Sequence, residues 1–344
     1  MNKICYVNGI YLTEKVSGGA KRVALETIKA LENIDTDIKF VVLCPKDAEL
    51  SENNYRVEYK KIGKFTGNKW EQISLPRYVN RNKGLCLSLC NSYPVFAKRN
   101  LIVVFDVRPK EELNLGIRNK FIKKFDFLMK RAKKKSIPVI TISNFSKNRI
   151  CDLYDYPEEL VNIMRLGYEH CKTVEDTADV NNNLQEEFYL SVSSVSKHKN
   201  FEFIINLATR FPDEKFYIIG NKVDKVDAPI PSNVTFLGRL SDNQLASFYR
   251  RAKAFISSSL YEGFGLTPLE AIYYGCKVLY LSDIEVFREI FNEASNFFDP
   301  HDAEKFEFGE KLTISEEKRL EILENYSWIN GATDLLNVIK RYVN

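Results

Sequence analysis

Disulfide frameworks, histidine clusters and long apolar runs are all missing from this sequence. The chain has 344 residues and seven cysteines, an odd number, with no C-x-x-C pair. We therefore expect reduced thiols, as in a cytoplasmic protein. The three histidines, His170, His198 and His301, stand at no metal-ligand spacing, so a histidine-rich zinc site is not expected.

Membrane-spanning segments and nucleic-acid binding are excluded on similar grounds. Apolar runs such as 40–44 and 278–281 are far shorter than the roughly 20 residues that cross a bilayer. Residues 1–7 indicate a first strand rather than a secretory signal. The formal net charge of +4 is too small to indicate a nucleic-acid binder. We expect a cytoplasmic protein, at most peripheral on the inner face of the membrane.

Strand and helix patterns alternate along most of the chain, which is typical of parallel α/β sheets. At about 150 residues per domain, the length indicates two domains. The polar stretch 175–183 indicates a linker. We predict an α/β protein with domains at 1–165 and 166–325, followed by a helix within 326–344.

The expected elements can be placed one by one. Predicted strands are 3–8, 38–44, 101–105, 138–142, 188–193, 215–219, 234–237, 254–258 and 277–281. Predicted helices include 20–32, 118–134, 200–210, 242–252 and 285–293.

The segment 254–281 is the most informative part of the chain. Its strand, 254–258, runs into a loop with two glycines, Gly263 and Gly265, and a helix is predicted to begin with Thr267 as N-cap. Gly275 can end that helix. Because the loop follows the carboxyl end of a parallel strand, it lies where open α/β sheets bind ligands.

The chemistry of this segment fits a phosphorylated sugar. Free amides near Leu266–Leu269 can bind phosphate at a helix N-terminus. Glu262 and Glu270 flank them, and a carboxylate can accept from two sugar hydroxyls at once. Thr267-x-x-Glu270 also has the spacing of a capping box, in which Glu270 would bond to the helix cap instead. Both roles for Glu270 stay open at this point.

The segment E-G-F-G-L-T-P-L-E, residues 262–270, resembles the E-x7-E signature of retaining GT-B glycosyltransferases of group 1, family GT4. Other landmarks of that family follow in the right order: the glycine loop Ser17–Gly19, the S-x-x-S-K segment Ser143–Lys147, the K-N motif Lys197–Asn200, the base-side loop Phe236–Asp242, and Tyr326–Trp328 at the start of the last helix.

This resemblance implies two Rossmann-like domains with parallel sheets that face a central cleft. The C-terminal domain would hold a nucleotide-diphosphate sugar, and the N-terminal domain would bind the acceptor. The last helix would cross back to the N-terminal domain. Transfer would retain the anomeric configuration, without a metal or any cofactor beyond the donor. We expect a hexose such as mannose, glucose or rhamnose to pass to a glycan or lipid-linked acceptor in bacterial surface polysaccharide or lipopolysaccharide biosynthesis.

The resemblance also implies roles for individual residues. Lys199 would hold the diphosphate, Glu262 the donor sugar and Glu270 the ribose. The donor would also be bordered by several residues that lie mostly in loops: Gly18, Gly19, Ser194, Gly238, Arg239, Leu240, Gly263, Phe264, Gly265, Leu266 and Thr267.

Two positions depart from the family pattern. Ser194 stands where many members carry an arginine, which would leave more of the phosphate charge to Lys199. Asp106 follows Phe105 where many members carry a histidine beside an acid. Asp106 is either the base for the acceptor hydroxyl or a loop carboxylate near Arg108.

Segment 118–135 carries nine basic residues and one acidic residue. Phe121, Phe125, Leu128 and Met129 share one predicted helix face with Ala132. Such a helix either lies on an anionic membrane or packs its apolar face into the core with a solvated basic back.

Two other functions remain alternatives. One is a GT-B-fold sugar-nucleotide epimerase, which the scarcity of histidine disfavours. The other is a non-catalytic, transferase-like assembly partner, which the presence of Glu262, Glu270 and Lys199 disfavours.

Overall fold

The structure, a computed structural model, describes residues 3–13, 18–50, 57–117, 119–173, 187–221, 229–309 and 312–343. The predicted linker 175–183 lies outside these residues, as do Ser17 and Arg118. The chain divides into two compact units: unit 1 is Met1–Leu166 with Trp328–Asn344, and unit 2 is Gly167–Ser327. No helix within the described ranges is both long enough and apolar enough to cross a membrane.

Unit 1 is built on a seven-stranded parallel sheet in the order β3-β2-β1-β4-β5-β6-β7. All residues of β4 and β5 are buried, so both faces of the sheet centre are covered. The strands are β1 Lys3–Asn8, β2 Ile38–Cys44, β3 Glu58–Lys61, β4 Leu85–Ser88, β5 Asn100–Val103, β6 Val139–Thr141 and β7 Val161–Ile163.

Unit 2 has a six-stranded parallel sheet in the order β10-β9-β8-β11-β12-β13. The chain proceeds outward from β8 in one direction and from β11 in the other, so the strand order reverses between these two neighbours. Open α/β sheets bind ligands at the carboxyl ends of the strands at such a point. The strands are β8 Tyr189–Val192, β9 Phe216–Ile219, β10 Val234–Gly238, β11 Ala254–Ser257, β12 Leu279–Ser282 and β13 Asn296–Phe298.

Helices connect the strands in both units. They are α1 Gly19–Leu31, α2 Gly67–Lys69, α3 Leu75–Arg81, α4 Arg108–Asn114, α5 Lys120–Lys134, α6 Asn144–Tyr154, α7 Phe201–Arg210, α8 Asp242–Arg251, α9 Leu266–Tyr273, α10 Glu285–Phe291, α11 Glu316–Asn325 and α12 Trp328–Tyr342. A π-helical turn, Trp70–Ser74, joins α2 to α3.

The prediction of two parallel α/β domains is confirmed, and each predicted strand has a counterpart within a few residues. Four strands went unpredicted: β3, β4, β7 and β13. Each has only three or four residues, and β3 at the sheet edge reads Glu-Tyr-Lys-Lys, which gives no apolar run.

Helix α12 lies against unit 1 through a close backbone approach. A methyl group on Gly331 would stand 1.9 Å from the carbonyl oxygen of Arg165, so only glycine permits this contact. The Arg165 guanidinium donates to both carboxylate oxygens of Asp334 at 2.8 Å each. Trp328 and Leu335 are buried on the same helix. These contacts explain why the last helix is grouped with the first 166 residues.

The predicted apolar face of the basic helix is partly wrong. Phe125, Leu128, Met129 and Ala132 pack into a core cluster of unit 1, as a core-facing helix requires. Phe121 does not belong to that face, because its side chain is 60% exposed at the first turn of α5.

Candidate functional site

Two loops meet at the carboxyl ends of β8 and β11, where the strand order of unit 2 reverses. The first carries Lys199 in a short 3-10 turn, Lys197–Lys199, after β8. The second carries Glu262 between β11 and α9. The topology therefore brings Lys199 and Glu262 to the part of the sheet where a ligand is expected.

Lys199 and Glu262 form an ion pair with an Nζ–Oε1 distance of 2.5 Å. The Ser259 hydroxyl donates to the same carboxylate oxygen at 2.8 Å. The two charged side chains are largely but not fully buried, with 16% and 19% of their surface exposed. The pair is thus screened only in part by solvent and stays within reach of a small molecule.

The loops are fixed to each other through their backbones. The Ser258 hydroxyl bonds to the carbonyl oxygens of Lys199 at 3.0 Å and Asn200 at 2.9 Å. Asn200 has a φ of +53°, a left-handed conformation that asparagine tolerates better than most residues. The Leu260 amide donates to the His198 carbonyl oxygen at 2.8 Å. The backbone thereby holds Lys199 beside Glu262 before any ligand binds.

Glu262 is ionised in this setting. Burial pushes the pKa of its carboxyl up, but the Lys199 charge and the hydrogen bonds from Lys199 and Ser259 outweigh burial. The net pKa therefore lies below the ordinary glutamate value. A carboxyl whose pKa is lowered by folding stabilises the folded state above its unfolded pKa, and this contribution is lost as the pH falls through the folded pKa.

Replacing Glu262 by glutamine should reduce the free energy of unfolding by about 1–3 kcal/mol at pH 7, the scale of a hydrogen bond to a charged group. The loss should begin to shrink below about pH 4.3, the ordinary glutamate pKa, and should vanish below the lower pKa of the folded protein, where both proteins carry a neutral side chain. Urea unfolding of both proteins at pH 7 and at low pH measures this difference. Glu317→Gln, an exposed site on α11, is the control and should change little at either pH. A loss independent of pH would contradict the ion pair.

Helix α9 begins two residues earlier than predicted. Its N-cap is Gly265, at a φ of +124°, and Thr267 lies inside the first turn, so the prediction of Thr267 as N-cap is wrong. Pro268 has no N–H, and the Leu269 amide bonds to the Gly265 carbonyl oxygen at 3.3 Å. Of the three amides within 266–269, those of Leu266 and Thr267 are left without a carbonyl one turn earlier in the helix.

Glu270 does not form a capping box, because the helix begins too early for Thr267 to cap it. The carboxylate is buried, with 9% of the residue exposed. Its Oε1 lies 3.0 Å from His170 Nε2, and its Oε2 accepts from the Tyr249 hydroxyl at 3.0 Å. Burial and the Glu270 charge raise the pKa of Tyr249 well above its ordinary value, so Tyr249 remains a hydrogen-bond donor.

One cluster of metal-ligating types occurs among the described residues: His170, Cys171 and Glu270, all buried, with one ligand atom of each within 4.8 Å of the others. The sequence spacing of the histidines did not predict it, because Glu270 lies 100 residues further along the chain. In the structure the Glu270 carboxylate is hydrogen-bonded to His170 and Tyr249.

The other residues of unit 2 that were predicted to bind the sugar donor differ in burial. The Phe264 ring is buried and packs edge-on against Tyr326 at 5.2 Å. Gly238, at a φ of +68°, ends β10 and accepts from the Gly220 amide at 2.8 Å. Arg239 is exposed, whereas Leu240 is half-buried.

Ser194 is half-buried in the loop after β8, where its carbonyl oxygen accepts from Ser196 Oγ at 3.5 Å. It therefore lies in the segment that leads to Lys199. A serine side chain supplies no guanidinium at this position of the loop.

Three predicted residues belong to unit 1. Gly18, at a φ of +67°, is the N-cap of α1, and Gly19 is its first residue. Asp106 follows β5, and its Oδ1 accepts from the Arg108 amide at 3.0 Å. The carboxylate thus supports the start of α4, in line with the interpretation of Asp106 as a loop carboxylate near Arg108. Its role as a base stays a prediction.

Comparison with known proteins shows which family unit 2 resembles. Residues 173–327 match the family described as "Glycosyl transferases group 1". The Salmonella typhimurium O-antigen chain mannosyltransferase RfbU is 27% identical over 237 residues, which cover 66% of this chain and 64% of that protein. The Escherichia coli O-antigen chain mannosyltransferase B is 23% identical over 229 residues, which cover 59% of this chain and 60% of that protein. The matches span less than two thirds of either relative.

Solved structures agree on the fold. Anabaena HepE in complex with UDP and glucose superposes with a TM-score of 0.72 at 14% identity, covering 99% of this chain and 100% of that one. WaaG, a glycosyltransferase involved in lipopolysaccharide biosynthesis, superposes with a TM-score of 0.59 at 12% identity over 98% and 95% of the two chains. The two sheets are thus the Rossmann-like domains of the GT-B fold, and residues 173–327 of the chain match the group 1 glycosyl transferases.

Proposed function

We propose that the protein transfers a hexose from a nucleotide-diphosphate sugar to a hydroxyl of a glycan or lipid-linked acceptor, with retention at the anomeric carbon. Mannose is the first candidate, since the two relatives described above are named mannosyltransferases. The observation that carries the proposal is the Lys199–Glu262 pair beside the start of α9, at the switch point of the unit 2 sheet.

The pair suits a site that binds a diphosphate and a sugar together. A bound diphosphate offers Lys199 a second anionic partner, so the Lys199 ammonium can contact phosphate as well as Glu262. Glu262 can then accept hydrogen bonds from the hydroxyls of the transferred sugar. The amides of Leu266 and Thr267 add the positive end of α9.

Leaving-group stabilisation in this scheme comes from the protein. As the bond between the anomeric carbon and the diphosphate oxygen breaks, negative charge grows on the phosphate, and Lys199 with the α9 amides is placed to stabilise it. We propose that transfer needs no added divalent cation. Equal rates with and without a chelator would support this part, and a rate restored only by Mg²⁺ or Mn²⁺ would refute it.

Donor binding can be tested with a thermal-shift panel of GDP-mannose, UDP-glucose, UDP-galactose and dTDP-rhamnose, alongside the matching nucleoside diphosphates. A true donor at 100 times its dissociation constant should stabilise the protein by about 2.7 kcal/mol. Slow release of free sugar without acceptor should follow with the same donor. NMR of the released sugar's first-formed anomer tests retention.

Turnover assays with the same nucleotide sugars separate the two alternative functions, an epimerase and a non-catalytic partner. An epimerase would convert the nucleotide sugar into its epimer without releasing sugar. A non-catalytic partner would leave every donor intact. Either result, obtained with folded protein, would overturn the proposal.

We also propose that the exposed back of α5 contacts anionic membrane, which would bring the enzyme to a lipid-linked acceptor at the inner face. Phe127 is 56% exposed. The four residues one helical turn away from it are all basic: Lys123, Lys124, Lys130 and Arg131. An exposed aromatic ring amid cations can insert between lipid headgroups.

Replacing Phe127 by alanine should weaken binding to vesicles of 30% phosphatidylserine by about 10- to 100-fold, because roughly 1.5–3 kcal/mol of aromatic burial is lost. Leu320→Ala, which removes an exposed side chain from α11 of unit 2, is the matched control and should bind as the wild type does. Co-sedimentation at fixed salt measures the change. Equal binding of all three proteins would contradict the α5 contact.

A further inference from the structure

We infer that His170 and Tyr249 are positioning residues, which hold the Glu270 carboxylate in the orientation that binds the donor ribose. The inference rests on the proposed function, because it takes Glu270 as the ribose ligand. His170 lies outside residues 173–327, the part of the chain that matches the family. No motif in the sequence pointed to it.

The two hydrogen-bond donors, His170 and Tyr249, lie on different elements from Glu270. His170 belongs to a 3-10 turn, Glu169–Thr173, at the start of unit 2. Tyr249 lies near the end of α8, and Glu270 is the fifth residue of α9. Each donor takes one carboxylate oxygen at 3.0 Å, so rotation of the carboxylate would break both hydrogen bonds.

Charge fixes the direction of both hydrogen bonds. An ionised carboxylate only accepts, so His170 must carry a proton on Nε2 and Tyr249 must donate its phenolic proton. A carboxylate has about four lone-pair positions on its two oxygens. The two protein donors fill one on each oxygen and leave one on each oxygen for a ligand. Two adjacent ribose hydroxyls match that remaining pair.

Aromatic packing holds the donors in place. The Tyr249 ring stacks on Tyr274 at 5.5 Å with an interplanar angle of 14°. Tyr168, two residues before His170, lies 4.9 Å from the ring of Tyr273 at the end of α9. The turn that carries His170 is thereby tied to the helix that carries Glu270, which favours a fixed geometry over an adjustable one.

Two variants of His170 separate positioning from bulk packing. His170→Gln keeps a donor near the Nε2 position, whereas His170→Met has similar volume but no donor. With the donor sugar found in the thermal panel, we expect His170→Met to raise KM for the donor about tenfold with kcat changed less than threefold. Tyr249→Phe should behave like His170→Met, and His170→Gln should restore most of the affinity.

The decisive measurement is how much the ribose 2′-hydroxyl contributes to nucleotide affinity. Calorimetry would compare the tightest binder among GDP, UDP and ADP with its 2′-deoxy form. Removing the 2′-hydroxyl should clearly weaken nucleotide binding to the wild-type protein and to the His170→Gln variant. The same removal should weaken nucleotide binding to His170→Met much less. If Glu270→Gln abolishes the penalty while His170→Met keeps it in full, the positioning role is overturned and the ribose role of Glu270 stands. If the wild-type protein binds both forms equally, or binds none of the three nucleotides, the ribose role fails and the inference fails with it.

Discussion

Replacing Lys199 by alanine should lower the rate of sugar transfer by about 100- to 1000-fold, the largest effect we expect from a single side chain. In the proposed mechanism the lysine is the charge that meets the leaving diphosphate, and removing one preorganised donor from such a site costs about 2.7–4 kcal/mol of transition-state stabilisation. Ser194 gives the loop no arginine to share that load. The fall should appear in kcat, because the charge on the phosphate grows as the bond breaks.

The matched control is Lys277→Ala. Lys277 is exposed just before β12, at the amino end of the sheet and therefore away from the loops that carry the site. Its removal should change the rate less than threefold. Steady-state kinetics with the donor identified by thermal shift tests both variants. A Lys199→Ala enzyme within fivefold of the wild-type rate would show that the lysine does not stabilise the leaving group.

Replacing Gly265 by alanine should destabilise unit 2 by about 2–6 kcal/mol. A side chain at a φ of +124° is strained, at a cost of about 1–3 kcal/mol. The new Cβ would also stand 2.9 Å from Phe287 Cε1 and 3.0 Å from Phe291 Cε2, both on α10. Overpacking of this kind typically costs about 1–3 kcal/mol. Relief of the clash would shift the start of α9, so donor affinity should fall with stability.

The control for Gly265 is Gly309→Ala. Gly309 is exposed, and nothing lies within 4 Å of the position its Cβ would take. Urea unfolding, followed by calorimetry with the bound nucleoside diphosphate, measures both effects. If Gly265→Ala and Gly309→Ala unfold within about 0.5 kcal/mol of each other, the strained cap is not a feature of the folded protein.

The sequence carried the local parts of this site well. Strand periodicity placed β8 and β11, the rule for parallel sheets placed the loop of Glu262 at the carboxyl end of its strand, and the family resemblance singled out Lys199. Gly265 was correctly singled out, but its position as the helix cap was missed, because Thr267 and Pro268 offered a stronger cap signal by residue type alone. Cap identity depends on the backbone angle, which composition does not reveal.

The distant parts could not be read from the sequence. His170 and Glu270 meet across 100 residues, and no local period or motif connects them. Phe121 fits the apolar face of α5 by spacing, but at the first turn the neighbouring Ile122 is buried and Phe121 is 60% exposed. In both cases tertiary packing decides where the side chain lies, and a local sequence pattern does not predict that packing.

The most direct test is a crystal structure of the protein with the nucleoside diphosphate that stabilises it most. We expect the terminal phosphate within about 3 Å of Lys199 Nζ and of the Leu266 or Thr267 amide, and both ribose hydroxyls at hydrogen-bond distance from Glu270. A nucleotide bound elsewhere, with Lys199 and Glu262 paired only with each other, would contradict the account.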